Sequence, residues 1–278
     1  MNPEPRRQEE YGSRQVKAAR RVLVDLGQVL ASFADSFVVV GGWIPDLLLD
    51  VDEEEPHVGS IDVDLALNVE KLSGERYAAL IESLLATQRY RKGVKDFQLV
   101  VDVDIEDGEE PVQVEVEFLA PKGTKMKKHK PKLLAGFRVL ETEACRAAFH
   151  APESVLLQGK TVRGAENTVR LQVASLRDFI VMKAHAIAGR DKPKDSYDLC
   201  YVLDHFPGGI KALADDWRQR LVEKEVARAV AVLREKFAST KAFGPQQLVE
   251  FHNSPDPETR KAQARRAYEL VQTLLSLL

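Results

Sequence analysis

The 278 residues are 44% hydrophobic and 30% charged, the balance of an ordinary soluble globular protein rather than a disordered one. A net charge of −3 excludes whole-molecule attraction to nucleic acid, and two cysteines, Cys145 and Cys200, without CxxC spacing exclude a thiolate zinc site and a disulfide scaffold. The charged start has no apolar signal core and no apolar run nears ~18 residues, so a cytoplasmic protein with no membrane partner is expected.

In chain order, Val16, Ala19, Leu23, Leu26, Leu30 and Phe33 recur at three- and four-residue steps, the stripe of an amphipathic helix. Residues 37–40 form a short apolar run suited to a buried strand. Gly41-Gly42 punctuates it, and 43–49 reads as the opening of a helix. An acidic loop follows, with Glu53, Glu54 and Glu55 before Pro56. Ile61, Val63, Leu65 and Leu67 alternate with Asp62, Asp64 and Ala66, the period of a strand. Residues 77–90 have helical spacing. Residues 97–105 and 112–119 flank the turn-prone Asp107-Gly108 and predict a β-hairpin.

Beyond about Glu141 strand signals fade, apart from short pieces near 156–162 and 169–173. From Ser175 the pattern is helical, clearest over 175–188, 196–204, 216–237 and 257–278. These signals predict an α/β (α+β) fold: a short mixed sheet with flanking helices over 1–170, then an all-helical domain over 171–278.

The chemistry centres on Gly59-Ser60-Ile61-Asp62-Val63-Asp64. Residues two apart on a strand share a face, so Ser60, Asp62 and Asp64 are expected to point the same way. Two carboxylates on one face repel, and a divalent cation between them removes that cost. Magnesium takes one or two carboxylates together with substrate phosphates. The Gly-Ser turn is suited to phosphate oxygens. On 112–118, Glu115 and Glu117 face away from the apolar residues. If that strand lies beside the Asp62 strand, one of them, Glu117 by preference, supplies a third carboxylate for a two-metal clamp. The plainer reading is the wet face of an edge strand; the whole string of strand, Gly-Gly, helix start and Gly-Ser-x-Asp-x-Asp weighs against it.

Gly41-Gly42 with Gly59-Ser60-x-Asp62-x-Asp64 resembles the signature of the DNA polymerase β-like nucleotidyltransferases. Lys183, followed by Arg190 and by Lys194-Asp195-Ser196-Tyr197-Asp198-Leu199, resembles the later motif of AbiEii-type nucleotidyltransferases, toxins of abortive-infection and toxin–antitoxin systems. The resemblance spans roughly 37–205. It implies that Gly41, Gly42, Gly59, Ser60 and Lys183 bind a nucleoside triphosphate and that Asp62 and Asp64 hold magnesium, two ions when the triphosphate is bound. It also implies that Asp195 and Asp198 complete the catalytic set with Lys183, as base or support. Transfer of a nucleoside monophosphate to an acceptor hydroxyl follows, with the 3′ end of a tRNA as acceptor and a cognate antitoxin as partner. The chain departs from the pattern in offering Glu115 or Glu117 for the commoner third aspartate, and Ile180 where a basic residue stands one turn before the lysine. A small-molecule or protein acceptor and a silent nucleotide-binding module are the alternatives.

Without the resemblance, Lys183 is a lysine on an amphipathic helix, and Asp195 and Asp198 suit a helix start. Lys122, Lys125, Lys127, Lys128, Lys130 and Lys132, with His129 among them, form a basic run between Pro121 and Pro131 that would steer RNA or triphosphate, or simply face solvent. His57, His185, Trp43, Trp217, Tyr197 and Leu199 read as incidental or packing residues.

Overall fold

A computed structural model describes residues 4–50, 55–72, 74–123 and 137–278. The chain divides into two compact units. One holds Gly12–Leu47 and Gly59–Ser175, and the other holds Met1–Tyr11, Leu48–Val58 and Leu176–Leu278. The change to helix falls at Ser175, where the helical pattern of the sequence begins, and the last strand runs on to Val173. Two early segments are also counted with the helices, through contacts that no local pattern encodes.

The first unit is a mixed sheet with helices. Its elements are α1 (Ser13–Val29), β1 (Phe37–Val40), α2 (Ile44–Leu48), β2 (Asp62–Leu67), α3 (Gly74–Ala86), β3 (Arg91–Lys92) and β4 (Gln98–Val103), then β5 (Val112–Pro121), β6 (Leu140–Thr142), β7 (Glu153–Lys160) and β8 (Glu166–Val173). The order is β3-β4-β5-β2-β1-β8-β7, with β6 beside β5. β2 runs parallel to β5 and antiparallel to β1, while β4 and β5 form the expected hairpin. The short pieces near 156–162 and 169–173 are longer than their apolar runs suggest. They pair over eight residues each as a second hairpin, whose outer side chains, Leu156 apart, are polar and so dilute the strand signal.

Strand alternation separates two faces. Val63, Leu65, Val114, Val116, Phe118, Leu99 and Val101 are buried, and α1 crosses β2, β4, β5, β7 and β8 with Ala18, Ala19, Val22, Leu23 and Leu26 buried. Burying one such aliphatic side chain stabilises by about 1.5–3 kcal/mol, so this seam fixes the register of β2 on β5. The opposite face carries the polar set, including Asp62, Asp64, Glu115 and Glu117.

The helical unit contains α4 (Leu176–Gly189), α5 (Pro193–Asp204), α6 (Gly209–Arg220), α7 (Lys224–Lys236), α8 (Phe243–His252) and α9 (Pro257–Ser276). The single helix expected over 216–237 is broken at 221–223, where Glu223 caps α7 and Val222 is 90% exposed. α8 has no clear apolar stripe and is not among the clearest helical segments of the sequence. Its burial of Leu248 and Phe251 comes from packing on α5 and α9. Within the same unit Arg6 donates to Glu250 and Asp191, and Glu4 pairs with Lys192.

Candidate active site

On the sheet unit, Gly41 and Gly59 have left-handed φ angles of 77° and 74°. A Cβ on Gly41 would overlap Asp64 Oδ2, and one on Gly59 would lie 2.6 Å from Val16 Cγ1. Both positions therefore require glycine, for conformation and for space. Gly41 follows β1, whose Val40 is in register with Asp64, so the Gly-Gly turn lies against that carboxylate. Trp43 is buried and donates Nε1–H to the Asp62 carbonyl at 2.8 Å, so it is more than a packing anchor.

Ser60 precedes β2 rather than lying on it. It is buried and donates its hydroxyl to Asp62 Oδ1 at 2.6 Å. Asp62 and Asp64 are both partly exposed. In the parallel ladder Asp62 is in register with Glu115 and Asp64 with Glu117, so the four carboxylates stand on one face of adjacent strands. The glutamates are already engaged. Lys95 Nζ lies 2.6 Å from Glu117 Oε1 and 3.8 Å from Glu115 Oε2, and Gln98 donates to both. Burial raises the Glu115 pKa against the pull of Lys95, with Glu117 and Asp62 adding repulsion.

Among the described residues, no three His, Cys, Asp or Glu side chains converge as a group able to hold a metal. The donor chemistry still suits magnesium: two hard, partly exposed carboxylates two residues apart, to be completed by phosphate oxygens and water. Glu115 and Glu117, expected as a third ligand, face the same side, with Glu117 Oε1 already paired to Lys95.

On the helical unit, Lys183 of α4 is buried, with Nζ 2.8 Å from Asp195 Oδ1 and 2.6 Å from Asp198 Oδ2. Asp195 also accepts from Arg190 Nε at 2.7 Å. Asp198 accepts from Lys194 Nζ at 2.6 Å and His57 Nε2 at 2.9 Å. His57 stacks on Tyr197, whose hydroxyl accepts the Val58 N–H at 3.2 Å. Neither aspartate is the N-cap, a place taken by Lys192; Asp195 is the third residue of α5.

Burial opposes ionisation of both aspartates. Lys183 and Arg190 nevertheless hold Asp195 down at about 2, and Lys183, Lys194 and His57 hold Asp198 well below the carboxylate range. Burial would lower Lys183, but the two aspartates outweigh it and raise its pKa; for Lys194, burial prevails and lowers it. Asp195 and Asp198 thus stand ionised around the Lys183 ammonium.

His57 carries no local signal of a role, since Asp198, which it meets, is 141 residues away. Lys194, four residues before Asp198 on one helix, was legible by spacing. Lys95 and Gln98 become visible only once the hairpin register is known. Of the basic run, Lys122 pairs with Glu143 at 2.7 Å, while Lys125, Lys127, Lys128, His129, Lys130 and Lys132 lie outside the described residues, as do Glu53 and Glu54. His185 donates to the Glu225 carbonyl, a packing role.

A mixed sheet presenting Gly-Ser-x-Asp-x-Asp beside a Gly-Gly turn belongs to a nucleotidyltransferase, and such an enzyme this protein is. Its chain belongs to the nucleotidyl transferase AbiEii toxin family of Type IV toxin–antitoxin systems, whose family model matches residues 22–276. A nucleoside triphosphate substrate and an antitoxin counterpart come with that membership. Among solved structures, the chain is similar to an antigenic nucleotidyltransferase-like protein from Paracoccidioides brasiliensis. The two are 17% identical with a TM-score of 0.41, covering 78% of this chain and 88% of that one. No curated protein matches the chain. Among the described residues, no helix is long and apolar enough to cross a membrane.

Proposed function

We propose that this toxin moves a nucleoside monophosphate from a triphosphate to the 3′-terminal hydroxyl of an RNA, a tRNA foremost, in the cytoplasm and under the control of a cognate antitoxin. The acceptor oxygen attacks the α-phosphorus, and pyrophosphate leaves. The observation that carries the reading is the shared face of Asp62 and Asp64 on β2, with Glu115 and Glu117 in register on β5.

Asp62 and Asp64 would hold magnesium, with two ions when the triphosphate is bound and Glu117 or Glu115 as the third carboxylate. When bound, the metal neutralises phosphate charge and favours in-line displacement. Ser60 orients Asp62 through its hydroxyl, and the missing Cβ of Gly41 leaves Asp64 its position. Gly42, Gly59 and Ser60 form the proposed phosphate-binding turns. In the helical unit, Lys183 is the proposed phosphate contact, with Asp195 and Asp198 as its catalytic support. The lysine run from Lys122 to Lys132 supplies positive charge suited to an RNA backbone.

The test is incubation with each α-labelled triphosphate, magnesium and total tRNA, following label on the RNA terminus together with released pyrophosphate. Terminal label that disappears with Asp62→Asn supports the reading. Label only on protein or a small molecule refutes the RNA acceptor, and triphosphate binding without pyrophosphate from any acceptor refutes transfer.

A further inference from the structure

The turn between β3 and β4 is closed by two backbone bonds, Gln98 N–H to the Lys95 carbonyl at 3.1 Å and Gly93 N–H to the Gln98 carbonyl at 2.9 Å. Gln98 is in register with Glu117 on β5, so the turn brings the Lys95 side chain back over that glutamate. Nζ reaches Glu117 Oε1 at 2.6 Å, and the ammonium also lies 5.8 Å from the Phe97 ring centre. The two donors on the glutamates differ in kind. Gln98 is 2% exposed and fixed by the ladder, whereas the Lys95 side chain is 46% exposed on a long flexible stem.

An ammonium and a divalent cation cannot both occupy one carboxylate oxygen, because two like charges would then meet at contact distance. Glu117 is in register with Asp64, on the face where the aspartates stand. We propose that Lys95 is a positioning residue that competes with the divalent cation for Glu117. It keeps the glutamate neutralised and in place, and it yields only when an ion joins Glu117 to the aspartates. Lys95 thus raises the metal concentration at which the third carboxylate is recruited. The proposal rests on Asp62 and Asp64 forming the metal face.

The test is titration of Mn2+ alone into the full-length protein, with free Mn2+ counted by electron paramagnetic resonance. Release of one half-exposed ion pair is a modest penalty, so Lys95→Met is expected to bind Mn2+ about fivefold more tightly than the wild type. Lys95→Arg keeps the charge and should retain wild-type affinity. The gain should vanish in the Lys95→Met/Glu117→Gln double variant, and thermal unfolding of each variant checks that the sheet is intact. Identical curves for wild type and Lys95→Met, with binding lost in Asp62→Asn, overturn the role of Lys95 and leave the metal face standing. Binding that survives both Asp62→Asn and Asp64→Asn overturns the two together.

Discussion

The sheet unit and the helical unit each carry a pair of closely spaced aspartates, and physical chemistry treats the pairs in opposite ways. Asp62 and Asp64 are two apart on a strand, share a face and are partly exposed. Asp195 and Asp198 are three apart on a helix, fully buried, and surrounded by Lys183, Lys194, Arg190 and His57. Charge satisfied inside the protein is architecture. Charge presented on a partly wet face is available to an incoming cation. The contrast supports the proposed ligand-binding role of the strand pair, while the helix pair encloses Lys183.

The contrast breaks first at Asp198. Asp198→Ala leaves Lys183 and Lys194 buried without a shared counter-charge, and removal of one partner from a buried pair costs about 3–5 kcal/mol. Urea unfolding should show that loss, while Asp64→Asn should alter stability little. A stable Asp198→Ala protein would remove the architectural half of the comparison.

Gly41→Ala sharpens the other half. It forces an unfavourable φ, costing about 1–3 kcal/mol, and pushes the Asp64 carboxylate aside. A displacement near 1 Å can lower turnover about a hundredfold. Pyrophosphate release measured beside thermal unfolding should therefore fall far more than stability explains.

Acid provides the next test. The folded pKa of Asp195 is depressed from the ordinary 3.8 to about 2. Its contribution, about 2 kcal/mol, is thus fully present above pH ~4 and lost as pH falls through about 2. Asp195→Asn should flatten the stability profile in that window, and an unchanged slope would contradict the pairing with Lys183. The smallest effect is expected from Ser60→Ala, which removes one hydrogen bond to Asp62 Oδ1 with little change in volume. It should cost about 1 kcal/mol in thermal or urea unfolding.

The strand pair was legible in the sequence because its cues are local. Alternation set Asp62 and Asp64 on one face, and the hairpin signals at Asp107-Gly108 delivered β5 with Glu115 and Glu117 on the matching side. The partners of the helix pair were only partly legible. Lys194 and Asp198 share a helix, but His57 reaches Asp198 across 141 residues, a closure no periodicity announces. Lys95 is illegible in the sequence for a related reason: its place beside Glu117 depends on strand register rather than on any motif. The break at 221–223 was hidden because helical spacing resumes in near phase on either side.

One consequence concerns timing during synthesis. Arg6 leaves the ribosome 185 residues ahead of its partner Asp191, and Glu250 follows later still, at a separation of 244. At about 5–20 residues per second the first wait is roughly 10–40 s. The segment around Arg6 therefore waits through that interval for these partners. Its makeup, rich in arginine and glutamate with few apolar side chains, suits that long interval.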